Sequence, residues 1–225
     1  MDAVIAKFSL FHPLISNSVA VICLGLAVLL GLPFVRSFRD LVYYWYLRPI
    51  LTITLSSLFR FLLMVGGLKS YLDLSAAPWP LQVVVLYLWT DFFIYLTHIL
   101  MHRSRWLFRF HKTHHLIEEL SWENGSKDTW VFESFVMLHA VVGGVLLGAE
   151  LYITATTIFL WKLALALTHF PRPLPWRWLR FLIVSPDKHL AHHTEPNRDF
   201  FNYATTIPLW DQLARAVATL AKRIP

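Results

Sequence analysis

Eight of the eleven histidines fall in three tight clusters inside a strongly apolar chain: His98 and His102, then His111, His114 and His115, then His189, His192 and His193. The patterns read HxxxH, HxxHH and HxxHH. On a helix, residues spaced i, i+3 and i+4 share one face, so each cluster aims two or three imidazoles at one point. A fold that kept these polar rings apart would have to bury or solvate them separately. A fold that lets three faces converge supplies more nitrogen ligands than one metal ion needs, and the clusters therefore point to a polynuclear metal centre.

The 225 residues are 56% hydrophobic and 16% aromatic. Soluble domains hold about 45–50% apolar residues, so the excess points to the bilayer. Cys23 is the only cysteine, which removes intrachain disulfides and thiolate metal sites. A formal charge of +6 fits cationic juxtamembrane loops in so apolar a chain, and nucleic acid is not expected as a partner.

A helix needs about 20 apolar residues to cross the hydrocarbon. Ile15–Phe34, Pro49–Leu68 and Leu81–Met101 meet that need, and Ser134–Gly148 with Leu151–His169 reads as a helical hairpin. The first of these has no small-residue cleavage pattern after it and reads as a retained anchor. The expected fold is all-α: an integral-membrane, multi-pass helical bundle of four to five membrane helices under a histidine-rich metal cap. One domain is expected over 1–225, with N-terminal anchor helices in 1–80 and the histidine-bearing region in 81–213.

Charge orients the bundle. Segments 35–48, 102–133 and 169–225 carry 16 of the 20 lysines and arginines, which assigns them to the cytoplasmic side together with all three clusters. Arg60 and Lys162 lie within spans, where a cation must pair or snorkel. Trp106–Phe110 and Pro175–Leu182 mix aromatics with arginine, as segments at headgroup depth do.

Further residues join the candidate site. Asp91 and Tyr95 share a helix face with His98 and His102, and a carboxylate behind a ligating histidine fixes its tautomer, so Asp91 is a candidate for that role. Glu133 and Asp187, near a span entrance and the last cluster, are candidates of the same kind. His169 closes the fifth span at matching depth and is a further ligand candidate. His139, inside the fourth span, is either a ligand or a packing residue. His12 lies on the opposite side and is excluded.

The order and spacing of the clusters resemble the fatty acid hydroxylase and sterol desaturase superfamily of integral-membrane di-iron oxygenases. The likeness covers about residues 85 to 213: His98 to His102, Phe110-His111-Lys112-Thr113-His114-His115, Thr168-His169-Phe170 through Leu174-Pro175, Pro186-Asp187-Lys188-His189-Leu190-Ala191-His192-His193, then Asn202-Tyr203 and Trp210-Asp211. Three departures stand out. Trp130-Val131-Phe132-Glu133 replaces a His-Pro-x-Glu element with only the glutamate kept, Ala204 replaces a glycine, and Gln212-Leu213-Ala214 replaces a closing Phe-Gly-Thr. His139 is the residue that would compensate for the missing histidine.

The resemblance implies two iron ions as cofactor, dioxygen as co-substrate, and hydroxylation or desaturation of a lipid, acyl chain or sterol, that enters from the bilayer. Zinc readily occupies such nitrogen sites in a purified sample. The eight box histidines would carry the chemistry. With no haem-binding segment, GxGxxG motif or cysteine cluster in the sequence, the electrons would come from a separate donor protein. Two other readings are a non-enzymatic membrane metal carrier or haem protein, and a catalytically degenerate member serving as a partner protein. Transport favours ligands near the midplane on opposing helices, and haem needs only one or two axial ligands.

Overall fold

The computed structural model describes residues 38–43, 47–68, 70–116, 119–122, 125, 127, 130–172, 177–194 and 202–222. Its helices are α1 (Phe38–Val42), α2 (Arg48–Val65), α3 (Trp79–Arg103), α4 (Arg105–His115), α5 (Trp130–Leu146), α6 (Leu151–Thr168), α7 (Pro186–Thr194) and α8 (Leu209–Ala221), with a 3₁₀ turn at Arg177–Phe181. Among the described residues there is no strand. The expected spans at Pro49–Leu68, Leu81–Met101, Ser134–Gly148 and Leu151–His169 correspond to α2, α3, α5 and α6, whereas Ile15–Phe34 lies outside the described residues.

α3 is the organising element. Proline in its first turn fits helix initiation, where the missing N–H is not needed. Its 25 residues run on to Arg103, and its neighbours are α4, α5 and α6. The buried residues Leu86, Thr90, Ile94, His98 and Met101 recur at helical spacing. The opposite stripe of Leu81, Val84, Leu88, Phe92, Leu96 and Leu100 is exposed. α3 and α6 are the helices long and apolar enough to cross a membrane among the described residues, while α5 is apolar but shorter. The chain is a helical membrane protein.

Close backbone approach locks the hairpin against α3. A Cβ on Gly143 would lie 2.4 Å from the Trp89 ring, so only glycine lets α5 pack this tightly. The turn between α5 and α6 is made at Gly148, whose φ of +66° suits glycine. Arg60 of α2 reaches that turn and donates from Nη2 to the Ala149 carbonyl at 2.6 Å. Lys162 of α6 pairs with Glu133 of α5, both buried. Both cations thus have a partner, as a low-dielectric setting requires.

Ile94, Met101, Phe132, Val136, Trp161 and Leu165 form an apolar core beneath the histidines. The tail after α7 returns along α3, where Tyr203 and Ala204 pack with Tyr95 and Val184. This return holds the site together from the other side.

Candidate metal centre

Short breaks in helical geometry bring the histidine faces together. Ser104 is extended, with φ −106° and ψ 116°, and its side chain accepts from the Leu107 amide to cap α4. The chain therefore folds back directly after His102, and α4 presents its histidines to those of α3. His169 occupies the C-cap of α6. Pro186 opens α7, which then delivers the last cluster.

Nine imidazoles meet, in two adjacent groups. His98, His102, His111, His115 and His192 form the first, and His114, His169, His189 and His193 the second. The groups do not follow the sequence clusters. In α4 the i, i+4 pair His111 and His115 serves the first group, and His114, turned away on the helix, serves the second. α7 is arranged oppositely: His189 and His193 serve the second group and His192 the first. The two HxxHH segments thus each bridge both groups. The groups touch, with the rings of His115 and His193 stacked at 4.7 Å.

The nitrogens lie at telling distances. His98 Nε2 sits 2.9 Å from His111 Nε2, 3.2 Å from His102 Nε2 and 3.2 Å from His192 Nε2. In the second group His169 Nε2 is 2.9 Å from His189 Nε2 and 3.3 Å from His114 Nε2. Two of these rings have a defined tautomer. His98 Nδ1 lies 2.7 Å from the Tyr203 carbonyl and His169 Nδ1 lies 2.9 Å from the Leu165 carbonyl. A carbonyl only accepts, so both rings carry their proton on Nδ1 and present an Nε2 lone pair to the centre. One such lone pair accepts from one N–H, so among neutral rings it cannot partner all three of the nitrogens that meet it. A cation satisfies all of them. Ligands side by side on an ion at about 2.0–2.1 Å lie roughly 3.0–3.4 Å apart, close to the separations observed.

The rings outside the spans are held neutral. Burial first, then neighbouring imidazoles, keep His111, His114, His189 and His192 well below the usual histidine range. Burial lowers His115 to about 4. Neutral imidazole is the ligating form, so the donor set fits two first-row metal ions and has no buried charge of its own.

Four candidate residues serve other ends. Asp91 is fully buried but serves no histidine directly. It accepts from Trp161 Nε1 at 2.8 Å, Thr206 Oγ1 at 2.6 Å, Trp210 Nε1 at 2.8 Å and, more weakly, Thr205 Oγ1 and the Ile207 amide at 3.3 Å. It ties the returning tail and α6 to α3. Asp187 is exposed in the first turn of α7, where an acid complements the helix dipole. His139 joins neither group: its Nε2 lies 2.9 Å from Thr97 Oγ1, and its ring stacks between Phe93 and Phe135. Glu133, expected to orient a ligand, is the partner of Lys162. The adjacent Phe132 lays its ring against His111 at 5.2 Å.

Supporting residues absent from the expected set also emerge. Tyr203 places its carbonyl on His98 and its ring 5.2 Å from that of His102 and 5.6 Å from that of His192. Asp211 accepts from the Tyr203 and Ala204 amides at 3.1 and 3.2 Å, and Asn202 turns the chain with φ 96° while accepting from Arg215 at 2.8 Å. Gly125 lies under His169, where a Cβ would stand 3.2 Å from Nδ1. The asparagine–tyrosine pair and the later aspartate are visible in the sequence, but their partnership is not.

Comparison with known proteins agrees with this geometry. The chain is 29% identical over 143 residues to the ornithine lipid hydroxylase OlsE of Rhizobium tropici, an alignment covering 60% of this chain and 42% of that protein. The chain therefore spans under half the length of that relative. No solved structure matches. The fatty acid hydroxylase profile matches residues 83–216, which include all nine converging histidines. The chain belongs to the fatty acid hydroxylase family.

Proposed function

We propose that this chain is a membrane-bound di-iron oxygenase that hydroxylates a lipid acyl chain, with dioxygen as oxidant and electrons from a separate protein. The observation that carries the reading is the meeting of nine imidazoles in two adjacent groups, with lone pairs held at ligand spacing. His98, His102, His111, His115 and His192 would hold one iron, and His114, His169, His189 and His193 the other. Bound there, the iron pair supplies the two-electron activation of dioxygen needed to oxidise an unactivated C–H bond.

The protein's part is to hold and shield. The Tyr203 and Leu165 carbonyls fix ligand tautomers, Asp211 and Asn202 hold Tyr203 in place, and Phe132 covers the inner side of the first group. The apolar flanks of α3 and α6 give a lipid substrate a route that avoids water, and holding one carbon near the centre sets the position of attack. Basic residues near the span ends favour a cytoplasmic site. The name of the OlsE relative favours hydroxylation over desaturation, and an acyl chain is the part of a lipid such a route would present.

The reaction consumes one dioxygen, two electrons and two protons for each alcohol and water formed. The test is iron-loaded protein in lipid vesicles with a reductase and ¹⁸O₂. Lipid carrying one ¹⁸O supports the reading. Unchanged lipid from protein holding stoichiometric haem, or moving metal across the vesicle, would overturn it in favour of a haem protein or carrier.

A further inference from the structure

α8 is amphipathic in an unusual sense. Leu209, Leu213, Val217 and Leu220 share one face, Asp211 and Arg215 lie opposite it, and Gln212 and Thr219 lie on its flank. A helix on the surface of a water-soluble protein turns its apolar stripe inward. Here the stripe points outward: of the polar residues only Asp211 is buried against the protein, while Gln212, Arg215 and Thr219 are exposed beside the stripe. Asp211 is buried and binds the Tyr203 and Ala204 amides, and Arg215 binds Asn202. The apolar stripe faces outward, with Leu213 49%, Val217 65% and Leu220 60% exposed.

The position of the helix says what covers that stripe. Trp210, in the first turn, donates to Asp91, which lies midway along the 25-residue α3. The Trp210 ring also packs on Phe92 at 5.0 Å. Phe92 belongs to the exposed stripe that runs along α3 from Leu81 to Leu100, the face that a membrane span turns to lipid. α8 therefore starts at the depth of a span's middle and continues a lipid-facing surface. From these relationships we infer that α8 lies in the bilayer, with Leu209, Leu213, Val217 and Leu220 among the acyl chains. Lys222, exposed at the end of the helix, is suited to reach phosphate groups. The C-terminal helix is then part of the membrane surface around the site, in contrast to the wholly cytoplasmic segment that charge alone assigns.

Spin labelling tests this without reference to catalysis. Nitroxides are placed at Leu213→Cys, Val217→Cys, Leu220→Cys, Gln212→Cys and Thr219→Cys in a Cys23→Ala background, and the full chain is reconstituted in phosphatidylcholine–phosphatidylglycerol vesicles. At 213, 217 and 220, collision with oxygen should exceed collision with a water-soluble nickel chelate, and the ratio should fall at 212 and 219. A nickel-dominated signal at 213, 217 and 220 would overturn the inference, because the stripe would then face water. Exclusion of both reagents there would also overturn it, and spin–spin broadening would identify a second copy as the cover.

Discussion

The ring of His98 and the carbonyl of Tyr203, 105 residues apart in sequence, are joined by a 2.7 Å hydrogen bond. Through it the returning tail decides which nitrogen of His98 is free for the first histidine group. Asp211 holds the peptide that carries this acceptor, through the Tyr203 and Ala204 amides.

Asp211→Ala should therefore weaken metal binding at a distance. Loss of the partners that orient a ligating histidine typically reduces affinity or activity about 10–100-fold. Iron affinity and turnover should both fall by that order, and Asp211→Asn, which keeps one acceptor, should fall less. Unchanged iron affinity in Asp211→Ala would show that the Tyr203 carbonyl does not depend on this clamp.

The two groups can be emptied separately. His111→Ala and His192→Ala remove ligands of the first group, and His114→Ala and His189→Ala those of the second. Each should abolish turnover and bring iron from about two per chain towards one, while membrane insertion is retained. Product formation by any of the four would remove that residue from the site.

The division into two groups marks the limit of what the sequence reveals. The i, i+4 spacing within α3, α4 and α7 is enough to gather the imidazoles, because helix geometry alone decides which residues share a face. His169 is legible from its place at a span end. Which imidazole serves which group depends on how α4 and α7 cross, so His114 parts from His111 and His115, and His192 from its neighbours. The role of Asp91 is not legible for a related reason: its donors Thr206 and Trp210 lie more than 110 residues later, on a tail whose return no local pattern announces. His139 shows the converse, since a histidine within an apolar helix is satisfied by a neighbouring threonine.

Asp91 is a structural anchor, and its removal should be felt as stability. Asp91→Ala strands the Trp161 and Trp210 indoles, each at about 1–3 kcal/mol if left buried and unpaired, while the Thr206 hydroxyl keeps Tyr87 as a partner. A marked fall in the detergent melting temperature is expected, with a smaller fall for Asp91→Asn. A melting temperature equal to that of the parent protein would contradict the anchoring role.

Gly125→Ala should disturb the second group selectively. The added Cβ meets the Leu165 carbonyl at 3.1 Å and His169 Nδ1 at 3.2 Å, and neither the helix backbone nor the buried ring can move freely. Iron should be lost from one of the two sites, and turnover should drop. Full retention of both irons would show that the His169 ring has room to shift.

Metal-free protein should lose stability in acid. The buried imidazoles of His111, His114, His115, His189 and His192 have folded-state values below the unfolded one. The unfolded chain therefore binds more protons below about pH 6.5, and folding weakens as pH falls from there towards 4. Thermal melts of chelated protein at several pH values check this. Flat stability between pH 7 and 5 would mean that the rings are solvated.

The central claim is that nine histidines hold two metal ions side by side. Metal analysis of protein purified without oxygen, with iron supplied, tests it most directly. The proposed di-iron reading predicts about two irons per chain. One iron or none, or a stoichiometric haem, would contradict it.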